Sequence, residues 1–268
     1  MKTIKKIIAA LVIVVFSTAI LSAQTYKHAT KNAKRVVIEN LLGELSFESY
    51  DGNEIIVEVK NFEAPPKRAD GLKAIYGGGE DNSGIGLGFR EMDGNIEISG
   101  ASKQSEEARY TFKIPNSVSL KVNYSSPFVE SEKITFKNFV NEIEVKTLDA
   151  DIEFINVTGP ITSSTIDGTT KVVFGKVNQK SPISISSIDG EIDVTLPADT
   201  PANLNFSTHD GEIYTDFDID FNKKEKDDKR SSLNYFIGGH NSSKGTINNG
   251  GVEISLKNIE GVIYLRKK

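Results

Sequence analysis

Apolar and polar residues alternate with a period of two along most of this chain. Ile96 and Ile98 are set against Glu97 and Ser99, Ile183 and Ile185 against Ser184 and Ser186, and Ile192, Val194 and Leu196 against Asp193 and Thr195. Successive side chains of a strand point to opposite faces, so the pattern predicts half-buried strands, one after another, from Arg35 onward. Leu204 and Phe206, then Ile213, Phe217, Ile219 and Phe221, carry it further, and Val252, Ile254 and Leu256 resume it near the end, in a last strand expected to cap the stack. The breaks fall at turn chemistry: Val36–Val59 divides into three runs at Gly43 and Asp51-Gly52, and Tyr110–Val122 into two at Pro115-Asn116. Pro182, Pro197 and Pro201 stand at the ends of runs, where no ladder hydrogen bond is lost. Outside the N-terminal segment, Ser102–Arg109 is the one predicted helical turn.

A phrase recurs within this pattern. TIDGTTKV (Thr165–Val172), SIDGEIDV (Ser187–Val194) and THDGEIYT (Thr208–Thr215) share a polar residue, Asp-Gly and a β-type run, and NIEGVIYL (Asn258–Leu265) is a relative. Gly168, Gly190 and Gly211 are 22 and 21 positions apart. A period of that size predicts stacked supersecondary units, each too small to bury its apolar face alone. Truncating Ile192 to Ala is then expected to cost on the order of 2–5 kcal/mol, as for a buried core position.

Two excursions interrupt the strands. Residues Ala64–Gly88 hold Pro65-Pro66 and a run of glycines and are expected to be a flexible loop. Their GGGEDNSGIGLGF segment lacks the strand–loop–helix context of a phosphate cradle, and Glu80 and Asp81 would repel an anion. Residues Asn222–Gly245 open with NKKEKDDKRSS, a solvated run of both charge signs. Both are candidate specificity loops or tolerated insertions.

The first 23 residues read as a signal peptide: Lys2, Lys5 and Lys6, an apolar stretch Ile7–Leu21, then Ser22 and Ala23, with cleavage expected after Ala23. Residues 24–34 are polar and without period, predicting a loose mature N-terminus. Removing the three lysines takes the net charge from −5 to −8, which argues against nucleic acid as a partner. The chain has no cysteine, so neither a disulfide framework nor lipid attachment to cysteine is possible, and a domain of this size does not need one. The expected address is outside the cytoplasm, in the periplasm or at the cell surface.

No catalytic, cofactor or metal site emerges. His28 falls in the predicted tail, His240 in a Gly/Ser loop, and His209 where the sister units carry Ile166 and Ile188. Stacked in register, Asp167, Asp189 and Asp210 would form a carboxylate ladder at the strand spacing of about 4.8 Å. Such a ladder could hold a cation or serve as an acid pair, but the plainer reading is that each Asp accepts hydrogen bonds from its own turn. Asp216, Asp218 and Asp220 are expected on the exposed face of a strand whose other face, Phe217, Ile219 and Phe221, is core. Tyr214, Tyr235 and Tyr264 are the candidates for stacking against a sugar.

The phrase Tyr110–Val122 followed by serial Asp-Gly-x-Ile units resembles the putative-adhesin family of bacterial envelope proteins, across roughly Arg35–Lys268. The chain departs from it at Ser125-Ser126-Pro127-Phe128 and at Ala150, where the family usually carries Gly-Asp and Gly. The resemblance implies an all-β, right-handed parallel β-helix, a β-solenoid-like single domain over 35–268 with coils of about 21 residues and an irregular N-terminal part. It implies a non-enzymatic, exported cell-envelope protein that binds a protein or glycan through its solenoid surface. Two alternatives are a periplasmic accessory or sensor domain of an envelope-stress system and a β-helix enzyme acting on polysaccharide.

Overall fold

Alternation of the kind seen at Ile183–Asp189 buries every second side chain only if a second layer faces it, and the chain supplies that layer by turning a corner after each strand. The computed structural model describes residues 24–63, 65–69, 71–72, 75–76, 79–124, 133–221 and 241–268. The leader (1–23), the charged run Asn222–Ser232, Tyr235, His240 and Ser125-Ser126-Pro127-Phe128 lie outside the described residues. The strands are β1 (Gln24–Ala29), β2 (Arg35–Glu39), β3 (Glu44–Tyr50), β4 (Glu54–Lys60), β5 (Ile75–Tyr76), β6 (Gly79–Glu80), β7 (Leu87–Met92), β8 (Asn95–Gly100), β9 (Arg109–Pro115), β10 (Ser119–Tyr124) and β11 (Ile134–Lys137). They continue as β12 (Ile143–Thr147), β13 (Ile152–Val157), β14 (Ile161–Ser164), β15 (Thr170–Phe174), β16 (Ile183–Asp189), β17 (Ile192–Leu196), β18 (Ala202–Thr208), β19 (Asp210–Thr215), β20 (Asn241–Ile247) and β21 (Val252–Lys267). The predicted helical turn is a 3₁₀ turn at Lys103–Glu106, capped by the Ser102 side chain.

The all-β solenoid expected from the repeats is present. Its two faces are mostly parallel ladders joined at corners. One face runs β7–β8–β2–β10–β12–β14–β16–β21–β18–β20. The other runs β1–β4–β9–β3–β11–β13–β15–β17–β21–β19. The last strand, β21, is long enough to serve both faces: Ile254 lies between Ile183 and Leu204, and Ile263 between Ile192 and Ile213. Rung-to-rung steps are not a uniform 21 residues. Ile134 stacks on Ile152 and Ile152 on Thr170, each 18 positions on, whereas Thr170 stacks on Ile192, 22 on.

Side chains of one rung lie on those of the next, so the core is a set of columns. Phe112, Phe47, Phe136 and Phe154 form an aromatic column with ring centroids 5.0, 5.1 and 4.8 Å apart and nearly parallel planes. Val172, Val194 and Leu265 extend that column. Ile192 is fully buried, between Thr170 and Ile263. On the outer surface, Glu144 of one rung meets Lys121 at 3.0 Å and Arg35 at 3.6 Å. Burial alone would raise the Glu144 carboxyl; Lys121, Lys146 and Arg35 together hold it below the usual range.

Four sequence expectations are corrected. Residues Gln24–Ala29 are not a loose tail but strand β1 on β4, with His28 stacked on Phe89 at 5.1 Å. Tyr26 and His28 gain a place because Phe89 leaves an aromatic surface for them to cover. The described part of the first excursion is partly core: Ile85 and Leu87 are buried, and Asp81 accepts hydrogen bonds from the N–H groups of Ser83, Gly84 and Gly86. The carboxylate thus occupies the very amides that an anion would need. Strand β19 ends at Thr215, where Asp216 accepts from the Lys267 N–H at 2.8 Å; Phe217 is buried, but Phe221 is 52% exposed rather than core. Finally, the C-terminal strand does not cap the stack. It inserts one coil in from the end, between β16/β17 and β18/β19, with β20 lying beyond β18.

Candidate functional site

The repeated phrase builds one corner of the solenoid. Asp149, Asp167, Asp189, Glu260 and Asp210 are neighbours on successive rungs in that order. The ladder predicted for Asp167, Asp189 and Asp210 is therefore present for its first pair and interrupted by Glu260 before Asp210, because β21 lies between the two coils. Backbone bonds pass from rung to rung here: Asp167 N–H donates to Leu148 O at 2.9 Å, Asp189 N–H to Ile166 O at 2.7 Å.

Glycine is required behind each acid by close approach of the rung beneath. A Cβ on Gly168 would lie 2.5 Å from Ala150 O, on Gly190 2.3 Å from Gly168 O, on Gly261 2.4 Å from Gly190 O, and on Gly211 2.0 Å from Gly261 O. Ala150, which is fully buried, supplies the carbonyl on which the first of these glycines closes. In front of each acid, a polar side chain is turned inward: Thr147, Thr165, Ser187, Asn258 and Thr208 are all buried. Thr147 Oγ1 donates to Thr165 Oγ1 at 2.9 Å, and Asn258 Nδ2 donates to Gly190 O at 2.5 Å.

Between the inward polar residue and the outward acid stands a third row, and it is apolar and exposed. Ile166, Ile188 and Ile259 are 44%, 45% and 45% exposed, aligned on three successive rungs, with His209 as the fourth. Beside them runs the row Lys146, Ser164, Ser186, Lys257 and Ser207. An open groove follows these rows, lined by the three isoleucines, Ser186, His209 and Lys257. The arrangement is an axial stripe with an apolar floor, carboxylates along one side and hydroxyl and ammonium groups along the other.

Among the described residues no group of three or more His, Asp or Glu side chains is placed to hold a metal ion. Asp167 Oδ1 accepts from the Gly168 N–H at 2.6 Å, the turn-bonding role that Asp plays before Gly, and Asp151 Oδ1 accepts from the Thr169 N–H of the next rung at 2.8 Å. His28 is far from this corner, on β1, where desolvation pulls its pKa below the ordinary imidazole value against the attraction of Glu91 at 3.6 Å. The predicted tyrosines come together in part: Tyr214 stacks on Tyr264 at 5.6 Å, and the Arg266 guanidinium lies 4.7 Å from the Tyr264 centroid. Alternation marked Ile166, Ile188 and Ile259 only as members of the repeated phrase; their exposure follows from the corner, which turns two adjacent residues outward instead of one.

Among the described residues no helix is long and apolar enough to cross a membrane. A comparison with curated protein sequences finds no match. Among solved structures, the chain is similar to a "putative cell adhesion protein" from Clostridium sporogenes at 11% identity and a TM-score of 0.40, covering 92% of this chain and 100% of that one. The profile of Toastrack DUF4097, a family defined by a domain of unknown function, matches residues 86–263, from the start of β7 into the second arm of β21, and the chain belongs to that family.

Proposed function

We propose that this chain is an exported, non-enzymatic protein of the cell envelope that binds a macromolecule, protein or glycan, along the corner stripe. The observation that carries the reading is the row Ile166, Ile188 and Ile259, each more than two-fifths exposed at a fixed rung spacing. Isolated exposed apolar residues are ordinary, but a contiguous row rimmed by charge is the usual form of an interaction site. A rigid solenoid suits that role because it repeats the same contact over a long surface. Export is supported by the Lys2/Lys5/Lys6 start and the apolar stretch Ile7–Leu21.

The test uses cells expressing the full chain and the triple variant Ile166→Ser/Ile188→Ser/Ile259→Ser. Protease added to intact cells, with a periplasmic marker as control, locates the domain. Attachment to immobilised glycans and matrix proteins is then compared between the two strains. Cleavage on whole cells with attachment lost in the variant is the expected result. Protection until the outer barrier is opened would sink binding to external targets, and undiminished attachment by the variant would remove the stripe from the mechanism.

A further inference from the structure

A solenoid ends in open sheet edges, and an unpaired edge is a template for another strand. The two faces of this molecule treat their edges differently. On the first face both ends are blocked from within. At β7, the Asn82 side chain accepts from Phe89 N–H and donates to Phe89 O, both at 2.9 Å, and the Ser83 hydroxyl does the same for Leu87 at 3.2 and 2.8 Å. These two side chains imitate a neighbouring strand. At β20, Asp220 and Thr246 exchange both backbone bonds at 2.9 Å.

On the second face neither end is blocked by any described residue: β1 has β4 as its ladder partner, and β19 has β21. Both free strands are six residues long. They also run the same way. Strand β1 is antiparallel to β4, β4 is antiparallel to β9, and from β9 to β19 every pairing is parallel. A copy displaced along the solenoid axis would therefore bring its β1 beside β19 in the parallel sense already used throughout this face.

The two ends carry opposite charge. Residues 24–34 hold Lys27, Lys31 and Lys34 and no acid, and Lys31 is engaged with Glu91 at 2.8 Å. Residues 208–221 hold Asp210, Glu212, Asp216, Asp218 and Asp220 and no Lys or Arg; Lys267 lies 3.7 Å from Asp218. At the acidic end, the inward column Ile192, Ile263, Ile213 stops at a half-buried Ile213. That is the feature of a coil that lacks its next rung.

We propose that the second face continues from copy to copy: β1 of one chain pairs in parallel with β19 of the next, with Lys27 opposite Glu212. Such a contact joins two different surfaces, so it is heterologous and propagates into a chain of solenoids rather than closing as a dimer. The blocked edges of the first face keep the junction in one register, since only one of the two ladders is open to extension.

Protein purified from cells expressing the full chain is followed by sedimentation over a wide concentration range, with hydrogen exchange read at Gln24–Ala29 and Asp210–Thr215. The expected result is mass that rises with concentration beyond a dimer, with protection of both strands rising in step. Lys27→Glu and Glu212→Lys, both at exposed positions, should each weaken association about tenfold or more, because like charges then face each other at the junction. An equimolar mixture of the two variants should recover it, since each junction again joins opposite charges. Three results would overturn the proposal: a monomer at every concentration, with β19 either exchanging fast or already protected from within its own chain; association that survives both substitutions; or two folded variants that fail to recover on mixing.

Discussion

Adding one methyl group at Gly190 tests the corner more sharply than any truncation. The Cβ of Gly190→Ala would sit 2.3 Å from Gly168 O and 3.0 Å from Ser187 Oγ. The serine can rotate, but the carbonyl belongs to the rung beneath and is held by the parallel ladder on both sides of the corner, so the rungs must part. Overpacking of this kind costs about 1–3 kcal/mol, and the backbone obstacle places Gly190→Ala at the upper end of that range. A change of that size lowers the thermal midpoint by about 4–12 °C for a domain of this length, at 2–4 °C per kcal/mol. Gly94→Ala is the control. Its φ of +75° imposes a conformational cost of about 1 kcal/mol, but its Cβ would meet nothing within 4 Å. Denaturant titration and thermal scans of both variants give the comparison. If Gly190→Ala loses less than about 0.5 kcal/mol, or no more than Gly94→Ala, the corner is not packed rung on rung and the apolar stripe built on it is not a fixed surface.

Phe136→Ala removes a ring stacked on both sides, on Phe47 at 5.1 Å and Phe154 at 4.8 Å, and should cost about 3–5 kcal/mol by the same titration; a value near 1 would mean that the column tolerates a gap. Acidification should destabilise the N-terminal end through His28. Its folded pKa is lowered by desolvation, so the unfolded chain binds the proton more tightly: the stabilisation is complete above about pH 6.5 and is lost as pH falls through the folded value. Thermal midpoints at pH 7.5 and pH 5 should therefore converge in His28→Phe relative to the unmodified chain, and an unchanged pH difference would assign the effect to other groups.

Much of the architecture is legible in the alternation, because a strand with one buried face must place every second residue inward whatever its neighbours are. The repeated phrase is legible for a similar reason: a corner that packs glycine against the carbonyl of the next rung admits little else, so Gly168, Gly190, Gly211 and Gly261 announce it four times. What the local sequence does not contain is the order of stacking. Asn258–Leu265 reads as one more unit at the end of the chain, yet β21 lies between β16/β17 and β18/β19, and that choice depends on contacts between residues 50 to 71 positions apart. The docking of Gln24–Ala29 on β4 is equally non-local, since Tyr26 and His28 need the aromatic surface of Phe89. The candidate stripe sits on this boundary. Composition and period determine that Ile166, Ile188 and Ile259 occupy equivalent places in their units. Only the stacking of the coils decides that they stand in one exposed line between a row of acids and a row of serines and lysines, because side-chain position along a solenoid axis is set by rung order, which strand periodicity alone does not encode.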